Sequence, residues 1–148
     1  NEKQKRKVSQ RIIDIISKEQ DMRETVIAVW GLSFKPDTND MRNAPSIDIV
    51  SALVKAGAKI RAYCPQGMEE ARWRLKEFEN AITYCENEYD AAKGADALVL
   101  ITEWHQFRGA YMDKVKAVMR NNYFFDLRNV FYKNSHVKDL FKYYGVGC

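Results

Sequence analysis

Cysteine is scarce in this sequence, and its pattern excludes the sites that cysteines usually build. The 148 residues contain three cysteines, Cys64, Cys85 and Cys148, which lack C-x-x-C spacing and have no histidine at ligand spacing. We therefore predict neither a metal site nor a disulfide framework. A reduced, cytoplasmic setting is the expected context for such a chain.

Long apolar runs and a strong charge bias are also missing. No apolar run approaches the ~18 residues of a membrane-spanning helix, and the charged residues 2–7 lack the apolar core of a signal peptide. Lys and Arg total 24 against 20 Asp and Glu, and the resulting charge of +4 is spread along the chain. We predict no membrane partner and no nucleic-acid partner, although a mild positive charge suits an anionic ligand.

The sequence does contain an alternation of short apolar runs with helix-like segments. Predicted strands cover residues 26–30, 60–63, 82–84, 97–101 and 123–126. Predicted helices cover residues 1–18, 45–56, 68–78, 88–93, 113–120 and 137–144. This alternation predicts a doubly wound α/β fold with a mostly parallel sheet and helices on both faces. Because one helix precedes the first strand, we predict a connector helix at residues 1–20 and a domain at residues 21–148.

Unusual polar residues follow the predicted strands. Lys35 and Arg42 occur after the first strand, and Arg128 follows the last one. Ligands of parallel sheets bind beyond the carboxyl ends of the strands, so these cations are placed to bind phosphate. The first loop contains Gly31 but no G-x-G-x-x-G fingerprint, so the Rossmann-like pattern alone does not predict NAD binding.

Four segments resemble, in order, the motifs of one enzyme family. Residues 31–46 read GLSFKPDTNDMRNAPS and resemble the signature G-L-(A/S)-F-K-x-x-T-(D/N)-D-x-R-x-(A/S)-P-(A/S). Residues 57–65, 96–104 and 126–131 are similar to G-A-x-(V/I)-x-x-Y-D-P, D-A-x-(V/I)-x-x-T-E-W and D-G-R-N-(I/V/L)-(F/Y). This series is typical of the UDP-glucose/GDP-mannose dehydrogenase family, and the first motif opens its C-terminal UDP-binding domain.

The resemblance implies a part in nucleotide-sugar oxidation. Family members oxidise the sugar C6 alcohol to a carboxylate in two NAD-linked steps. An N-terminal Rossmann domain binds NAD, and a central helical region carries the catalytic cysteine. The resemblance to the UDP-binding domain implies that the chain binds UDP-glucose or a related nucleotide sugar. Because no cysteine here lies in a matching motif, the chain is expected to lack catalytic residues and to be inactive alone. The T-E-W motif favours UDP-glucose, and the whole protein is expected to be a homo-oligomer with those two further domains.

The resemblance also implies roles for individual residues, by position. Phe34 and Lys35 match the pair that contacts the nucleotide sugar, and Arg128 matches an arginine that contacts the substrate. Arg42 matches the arginine that reaches the NAD pyrophosphate. We therefore expect Phe34, Lys35 and Arg128 to bind substrate and Arg42 to bind cofactor.

Two positions depart from the family pattern. Cys64 stands where Y-D-P has aspartate, which removes a carboxylate from the end of the second strand. Leu127 stands where D-G-R has glycine, and its side chain is expected to alter the loop that aims Arg128.

Other interpretations of these residues and of the function stay open at this point. Lys35 and Arg42 could be solvated loop charges, Phe34 a loop anchor, and Arg128 a structural partner of Asp126. The chain could be a freestanding nucleotide-sugar-binding or regulatory module, or a domain of a UDP-amino-sugar or GDP-mannose dehydrogenase. A receiver-like domain would need an acidic cluster at the end of the first strand, where Trp30 and Gly31 stand instead.

Overall fold

The computed structural model describes residues 2–147, which fold around a six-stranded sheet. The strands are β1 (Val26–Trp30), β2 (Lys59–Tyr63), β3 (Ile82–Tyr84), β4 (Ala97–Leu100), β5 (Tyr123–Asp126) and β6 (Lys142–Gly145). The helices are α1 (Glu2–Ser17), α2 (Pro45–Lys55), α3 (Met68–Arg74), α4 (Glu88–Ala92), α5 (His105–Arg108), α6 (Met112–Val118) and α7 (Ser135–Leu140).

The sheet has the strand order β3-β2-β1-β4-β5-β6, and every neighbouring pair is parallel. This confirms the predicted doubly wound α/β fold. The chain adds strands on one side of β1 as far as β3 and then crosses to β4 on the other side. The strand order therefore reverses between β1 and β4, and the segments that follow these two strands meet at the carboxyl edge of the sheet.

The central strands are buried on both faces because their side chains are almost all apolar or aromatic. Every residue of β4 and β5 is buried, and in β1 only Val26 is partly exposed. The Trp30 ring stacks on Phe107 with centroids 5.0 Å apart, and its indole nitrogen donates to the Glu88 carbonyl at 3.0 Å. Apolar burial of this kind contributes about 25 cal/mol per Å² and is the main term that stabilises the fold.

The end of the chain differs from its prediction. The predicted helix at residues 137–144 is wrong in its second half, where β6 extends the sheet beside β5. Two tyrosines explain the difference, since successive side chains of a strand point to opposite faces. The Tyr143 hydroxyl donates to Asp126 at 2.6 Å, and the Tyr144 ring stacks on Phe125 at 5.1 Å.

Smaller differences concern the helices. The helix predicted at residues 68–78 ends at Arg74, and a 3-10 turn follows at Lys76–Ala81. Leu75, between them, leaves the helical backbone region and is buried. The one-turn helix α5 has no counterpart among the predictions. Within residues 2–147, no helix combines the length and the apolarity that crossing a membrane requires.

The leading helix α1 packs against α2. Ile12 and Ile16 of α1 are buried in the core. Lys5 pairs with Asp48 of α2 at 3.1 Å, and Arg11 donates to the carbonyl of Gly145 at 2.7 Å. The segment predicted as a connector is thus held against the domain, and its connecting role stays a prediction.

Candidate functional site

The site begins where β1 ends, at a glycine whose backbone conformation other residues rarely adopt. Gly31 has a φ of 91°, and its amide donates to the Tyr63 carbonyl at 2.9 Å. A Cβ atom on Gly31 would lie 2.6 Å from the Thr102 Cβ and 2.7 Å from the Thr102 backbone nitrogen. The chain therefore leaves β1 in contact with the segment after β4, at the reversal of strand order.

The predicted substrate residues Phe34 and Lys35 lie on the exposed side of the loop after β1. Phe34 is 50% exposed, and Lys35 is exposed as well. The Phe34 amide donates to the Asp40 carbonyl at 2.7 Å, which closes the loop. Among residues 2–147, no acidic side chain forms an ion pair with Lys35, so its ammonium group is available to an anionic ligand.

Ser33 is a buried hydrogen-bonding centre just before these two residues. Its hydroxyl donates to the Lys35 carbonyl at 2.9 Å. The same oxygen accepts from the Trp104 indole at 3.3 Å and from the Cys64 thiol at 3.7 Å. The Ser33 carbonyl accepts from the Thr102 hydroxyl at 2.7 Å. The loop that carries Lys35 is thus tied to the residues that follow β2 and β4.

The Cys64 departure from the family pattern fits this network. A serine hydroxyl has one proton and two lone pairs. Because the buried Cys64 thiol donates to the Ser33 oxygen, the serine proton stays directed at the Lys35 carbonyl. An ionised aspartate at position 64 could only accept, and it would compete for that proton.

Arg42, the predicted cofactor residue, is held by Asp40. Its Nε donates to Oδ1 at 3.1 Å, its Nη2 donates to Oδ2 at 3.0 Å, and its backbone nitrogen donates to Oδ1 at 2.9 Å. Hydrogen bonds from the side chain, and then from the backbone, of Arg42 lower the pKa of the Asp40 carboxyl from 3.8 to about 2. The Arg42 side chain is 78% exposed and borders a recess of about 290 Å³ that it shares with Glu70 and Arg74.

The Asp40–Arg42 pair is expected to give a measurable acid titration. Because the pKa of Asp40 is lower in the folded state, the pair stabilises the fold above about pH 4 and this contribution is lost as the pH falls through about 2. Arg42→Ala is expected to return the pKa of Asp40 towards 3.8, measured from the NMR shift of the carboxyl carbon. Arg23→Ala breaks a similar pair with Asp21 (2.9 Å) and should leave Asp40 unchanged. An Asp40 midpoint that Arg42→Ala does not move would contradict this assignment.

Arg128, after β5, pairs with Glu103 and not with Asp126. Its Nε donates to the Glu103 Oε2 at 2.6 Å, and the Arg128 side chain is 44% exposed. Asp126 accepts instead from the backbone nitrogens of Val130 and Phe131, at 3.1 and 2.8 Å. Within residues 2–147, neither Nη1 nor Nη2 of Arg128 binds an acceptor, so this end of the guanidinium is open.

The turn that carries Arg128 is held by its neighbours. Asn129 has a φ of 53°, and its side chain exchanges two hydrogen bonds of 2.8 Å with the backbone of Val146. Leu127, which stands in place of the family glycine, has no positive φ, so the chain accepts a side chain there without strain. The Leu127 amide donates to the Leu100 carbonyl at 3.0 Å, which joins this turn to β4.

A cleft of about 260 Å³ opens beside Arg128 at the carboxyl edge. Two cations line it, Lys5, which pairs with Asp48, and Arg128, which pairs with Glu103. The apolar walls are formed by Val8, Pro45, Ile49, Ile101, Leu127 and Val146. Phe34 and Lys35 line neither this cleft nor the recess beside Arg42. The four predicted site residues therefore share one edge of the sheet without lining a single cavity.

Sequence reasoning missed several residues that build this edge. The sequence shows Thr102, Glu103 and Trp104 as unusual residues at the end of the most apolar strand, but their position alone does not indicate a role for them. Ser33 carries no such signal, because a serine in a loop is common. Lys5 could not be found either, since only the packing of α1 on α2 brings it to the cleft.

Comparison with known proteins agrees with the motifs. The family described as "UDP-glucose/GDP-mannose dehydrogenase family, UDP binding domain" matches residues 28–133. A UDP-glucose 6-dehydrogenase of Rhizobium meliloti is 41% identical over 147 residues, which cover 99% of this chain and 32% of the relative. A UDP-glucose 6-dehydrogenase of Pseudomonas aeruginosa is 40% identical over 124 residues, which cover 82% of this chain and 27% of the relative. The chain therefore spans about a third or less of the length of these relatives.

Solved structures share the fold. UDP-D-ManNAc dehydrogenase from Pyrococcus horikoshii superposes with a TM-score of 0.78 at 22% identity, over 99% of this chain and 31% of that one. A UDP-glucose dehydrogenase from Pyrobaculum islandicum gives a TM-score of 0.65 at 24% identity, over 82% of this chain and 29% of that one. At these identities the likeness shows the fold alone. From the family match, the identity to curated relatives and the shared fold, we conclude that this chain belongs to the UDP-glucose/GDP-mannose dehydrogenase family and corresponds to its UDP binding domain.

Proposed function

We propose that this chain is the nucleotide-sugar-binding domain of an NAD-dependent UDP-glucose 6-dehydrogenase, which oxidises UDP-glucose to UDP-glucuronate. The identity of 41% to a UDP-glucose 6-dehydrogenase supports this choice of substrate. The T-E-W motif at residues 102–104 supports it as well, because it favours the UDP-glucose branch of the family.

The guanidinium of Arg128 is the observation that carries the proposal. Glu103 accepts a hydrogen bond from its Nε at 2.6 Å and restrains the position of the group. The two Nη atoms remain and present parallel donors, which match two oxygens of a phosphate. The cleft beside Arg128, with Lys5 on its rim, is mostly apolar and suits the faces of a base or a sugar ring.

Phe34 and Lys35 supply a second contact in this proposal. The Lys35 ammonium acts as a point charge for a phosphate oxygen. The exposed Phe34 ring offers an apolar face that a ligand would cover. Both residues lie on a loop whose base is buried and hydrogen-bonded, so their backbone is ordered before the ligand arrives.

In this proposal Arg42 supplies one contact to NAD, and the remaining contacts come from another domain. Its Nε and Nη2 bind Asp40, which leaves Nη1 for an oxygen of the pyrophosphate. NAD, when bound, takes up the hydrides that leave the sugar. The chain has no G-x-G-x-x-G turn, so we place the main NAD site in another domain of the whole protein.

We also place the catalytic cysteine in another domain of the whole protein, because no cysteine of this chain lies in a matching motif. Cys64 and Cys85 are both buried. Burial raises the pKa of the Cys85 thiol, which disfavours the reactive thiolate. The carboxyl edge of this chain would therefore form one wall of an active site, and the NAD-binding and catalytic domains would form the other.

Binding of UDP to the chain tests this proposal. The chain by itself is expected to bind UDP weakly, with a dissociation constant in roughly the millimolar range, because the contacts proposed to come from the other domains are absent. Lys35→Ala and Arg128→Ala should each weaken binding about fivefold, since each removes a charge-assisted contact from a partly exposed site. The measurement is an NMR chemical-shift titration of each protein with UDP.

Lys93→Ala serves as the control for loss of charge. Lys93 is exposed and lies before β4, at the opposite edge of the sheet. Its loss should leave the UDP affinity unchanged. If Lys35→Ala and Arg128→Ala bound UDP as tightly as the wild-type chain, these two residues would not belong to the site. If UDP changed the chemical shifts only of residues far from the carboxyl edge, the proposal would be overturned.

A further inference from the structure

The segment after β4 reaches across the strand reversal to hold the loop after β1. The Thr102 hydroxyl donates to the Ser33 carbonyl at 2.7 Å, and the Trp104 indole donates to the Ser33 hydroxyl at 3.3 Å. Thr102, Trp104 and Ser33 are all buried, with exposures of 1%, 5% and 0%. None of the three can reach a ligand in solvent directly, so whatever they do for binding acts through the loop.

We propose that Thr102 and Trp104 are positioning residues for the nucleotide-sugar ligand. They hold Ser33, and Ser33 fixes the backbone of Lys35 through the 2.9 Å bond to its carbonyl. This inference rests on the proposed function, because it assigns these residues to the site that contains Phe34 and Lys35.

The freedom of Lys35 explains why its backbone must be held. No acidic side chain within residues 2–147 pairs with the Lys35 ammonium, so only the backbone determines where this long side chain starts. Ordering a flexible loop and a lysine side chain upon binding costs free energy and reduces the affinity. A loop already fixed by Ser33 avoids the backbone part of that cost.

The Trp104 indole also sets the direction of the Ser33 hydroxyl. The indole nitrogen can only donate, so it occupies a lone pair of the Ser33 oxygen. The Cys64 thiol occupies the other lone pair. The single proton of the hydroxyl is then left to donate to the Lys35 carbonyl, which is the bond that fixes the exposed residue.

Thr25 provides a matched control at the opposite edge of the sheet. Thr25 and Thr102 are each 1% exposed. The Thr25 hydroxyl donates to the Asp21 carbonyl at 2.8 Å, and the Thr102 hydroxyl donates to the Ser33 carbonyl at 2.7 Å. Replacement by valine removes the bond to the carbonyl in both cases and leaves nearly the same shape. At Thr25 it also removes the bond that the Gln20 side chain donates to the hydroxyl at 2.8 Å, so Thr25→Val should lose at least as much thermal stability as Thr102→Val.

The experiment compares UDP binding to the wild-type chain, Thr102→Val, Thr102→Ser, Trp104→Phe and Thr25→Val by NMR titration. Thr102→Val is expected to weaken UDP binding about fivefold, as the loss of one hydrogen bond to the loop implies. Trp104→Phe should weaken it about twofold, because the longer bond to Ser33 is weaker. Thr102→Ser, which keeps the hydroxyl, should restore the wild-type affinity. In Thr102→Val the amide proton of Phe34, which donates to the Asp40 carbonyl at 2.7 Å, should also exchange faster with solvent.

The outcomes separate this inference from the proposed function. If Thr102→Val and Trp104→Phe both bind UDP with wild-type affinity while Lys35→Ala binds it more weakly, the positioning role is overturned. The proposed function is then unaffected. An equal loss of affinity in Thr25→Val overturns it as well, since the effect would then follow stability alone. Absence of UDP binding to the wild-type chain overturns the proposed function and this inference with it. If Thr102→Val does not fold, Trp104→Phe decides the question.

Discussion

Replacing Asp126 with alanine is expected to lower the free energy of unfolding by about 4 kcal/mol. Asp126 is fully buried, and its carboxylate accepts three hydrogen bonds from donors within residues 2–147. The donors are the backbone nitrogens of Val130 (3.1 Å) and Phe131 (2.8 Å) and the hydroxyl of Tyr143 (2.6 Å). Alanine would leave these donors without the acceptor, and each unsatisfied buried donor costs about 1–3 kcal/mol. Small domains are stable by only about 5–15 kcal/mol, so the loss would be a large part of the total.

Tyr143→Phe is the control for the Asp126 variant. It removes a single donor and leaves the two backbone bonds to Asp126 in place, so its expected cost is about 1 kcal/mol. Urea unfolding followed by circular dichroism measures both variants. If Asp126→Ala lost no more stability than Tyr143→Phe, the backbone bonds to the carboxylate would not hold the turn that carries Arg128.

Replacing Gly31 with alanine is expected to lower the free energy of unfolding by about 3 kcal/mol or more, from strain and overpacking together. The φ of 91° at Gly31 is unfavourable for any residue with a Cβ. The added methyl group would also lie 2.6 Å from the Thr102 Cβ and 2.7 Å from the Thr102 nitrogen. Backbone atoms cannot move aside as a flexible side chain can, so β1 and β4 must separate where their ends meet.

Gly94→Ala separates these two causes. Gly94 also has a positive φ, 72°, but a Cβ there would have no atom within 4 Å. Its expected cost is about 1 kcal/mol, from the backbone conformation alone. Chemical denaturation of the two variants gives the difference. Equal losses at Gly31 and Gly94 would show that the close approach to Thr102 contributes nothing.

Particular elements show why most of the fold was predictable. The runs at residues 26–30 and 97–101 are wholly apolar, and short apolar runs of this length are typical of strands covered on both faces. Their prediction as strands of a parallel sheet is confirmed. The segment at residues 137–144 has no comparable run, and its tyrosines are compatible with either structure. It becomes strand β6 because β5 offers an open edge with Asp126 and Phe125 beside it.

The candidate site was predictable only in part. Motif resemblance identified Phe34, Lys35, Arg42 and Arg128, and all four lie on loops at the carboxyl edge. Their roles stay predictions until ligand binding is measured. The pairing of Arg128 with Glu103 could not be predicted, because Asp126 is nearer in sequence and was the more obvious partner.

The sequence by itself determined the alternation of strands and helices, the family and the identity of the cations, because these depend on local apolar patterning and on short ordered motifs. Tertiary structure decided which side chains meet. It brought Thr102 and Trp104 to Ser33 and joined Glu103 to Arg128, across separations of 69, 71 and 25 residues. Hydrogen bonds at such separations depend on the register of β1, β4 and β5 in the sheet, and register is a property of the folded chain as a whole.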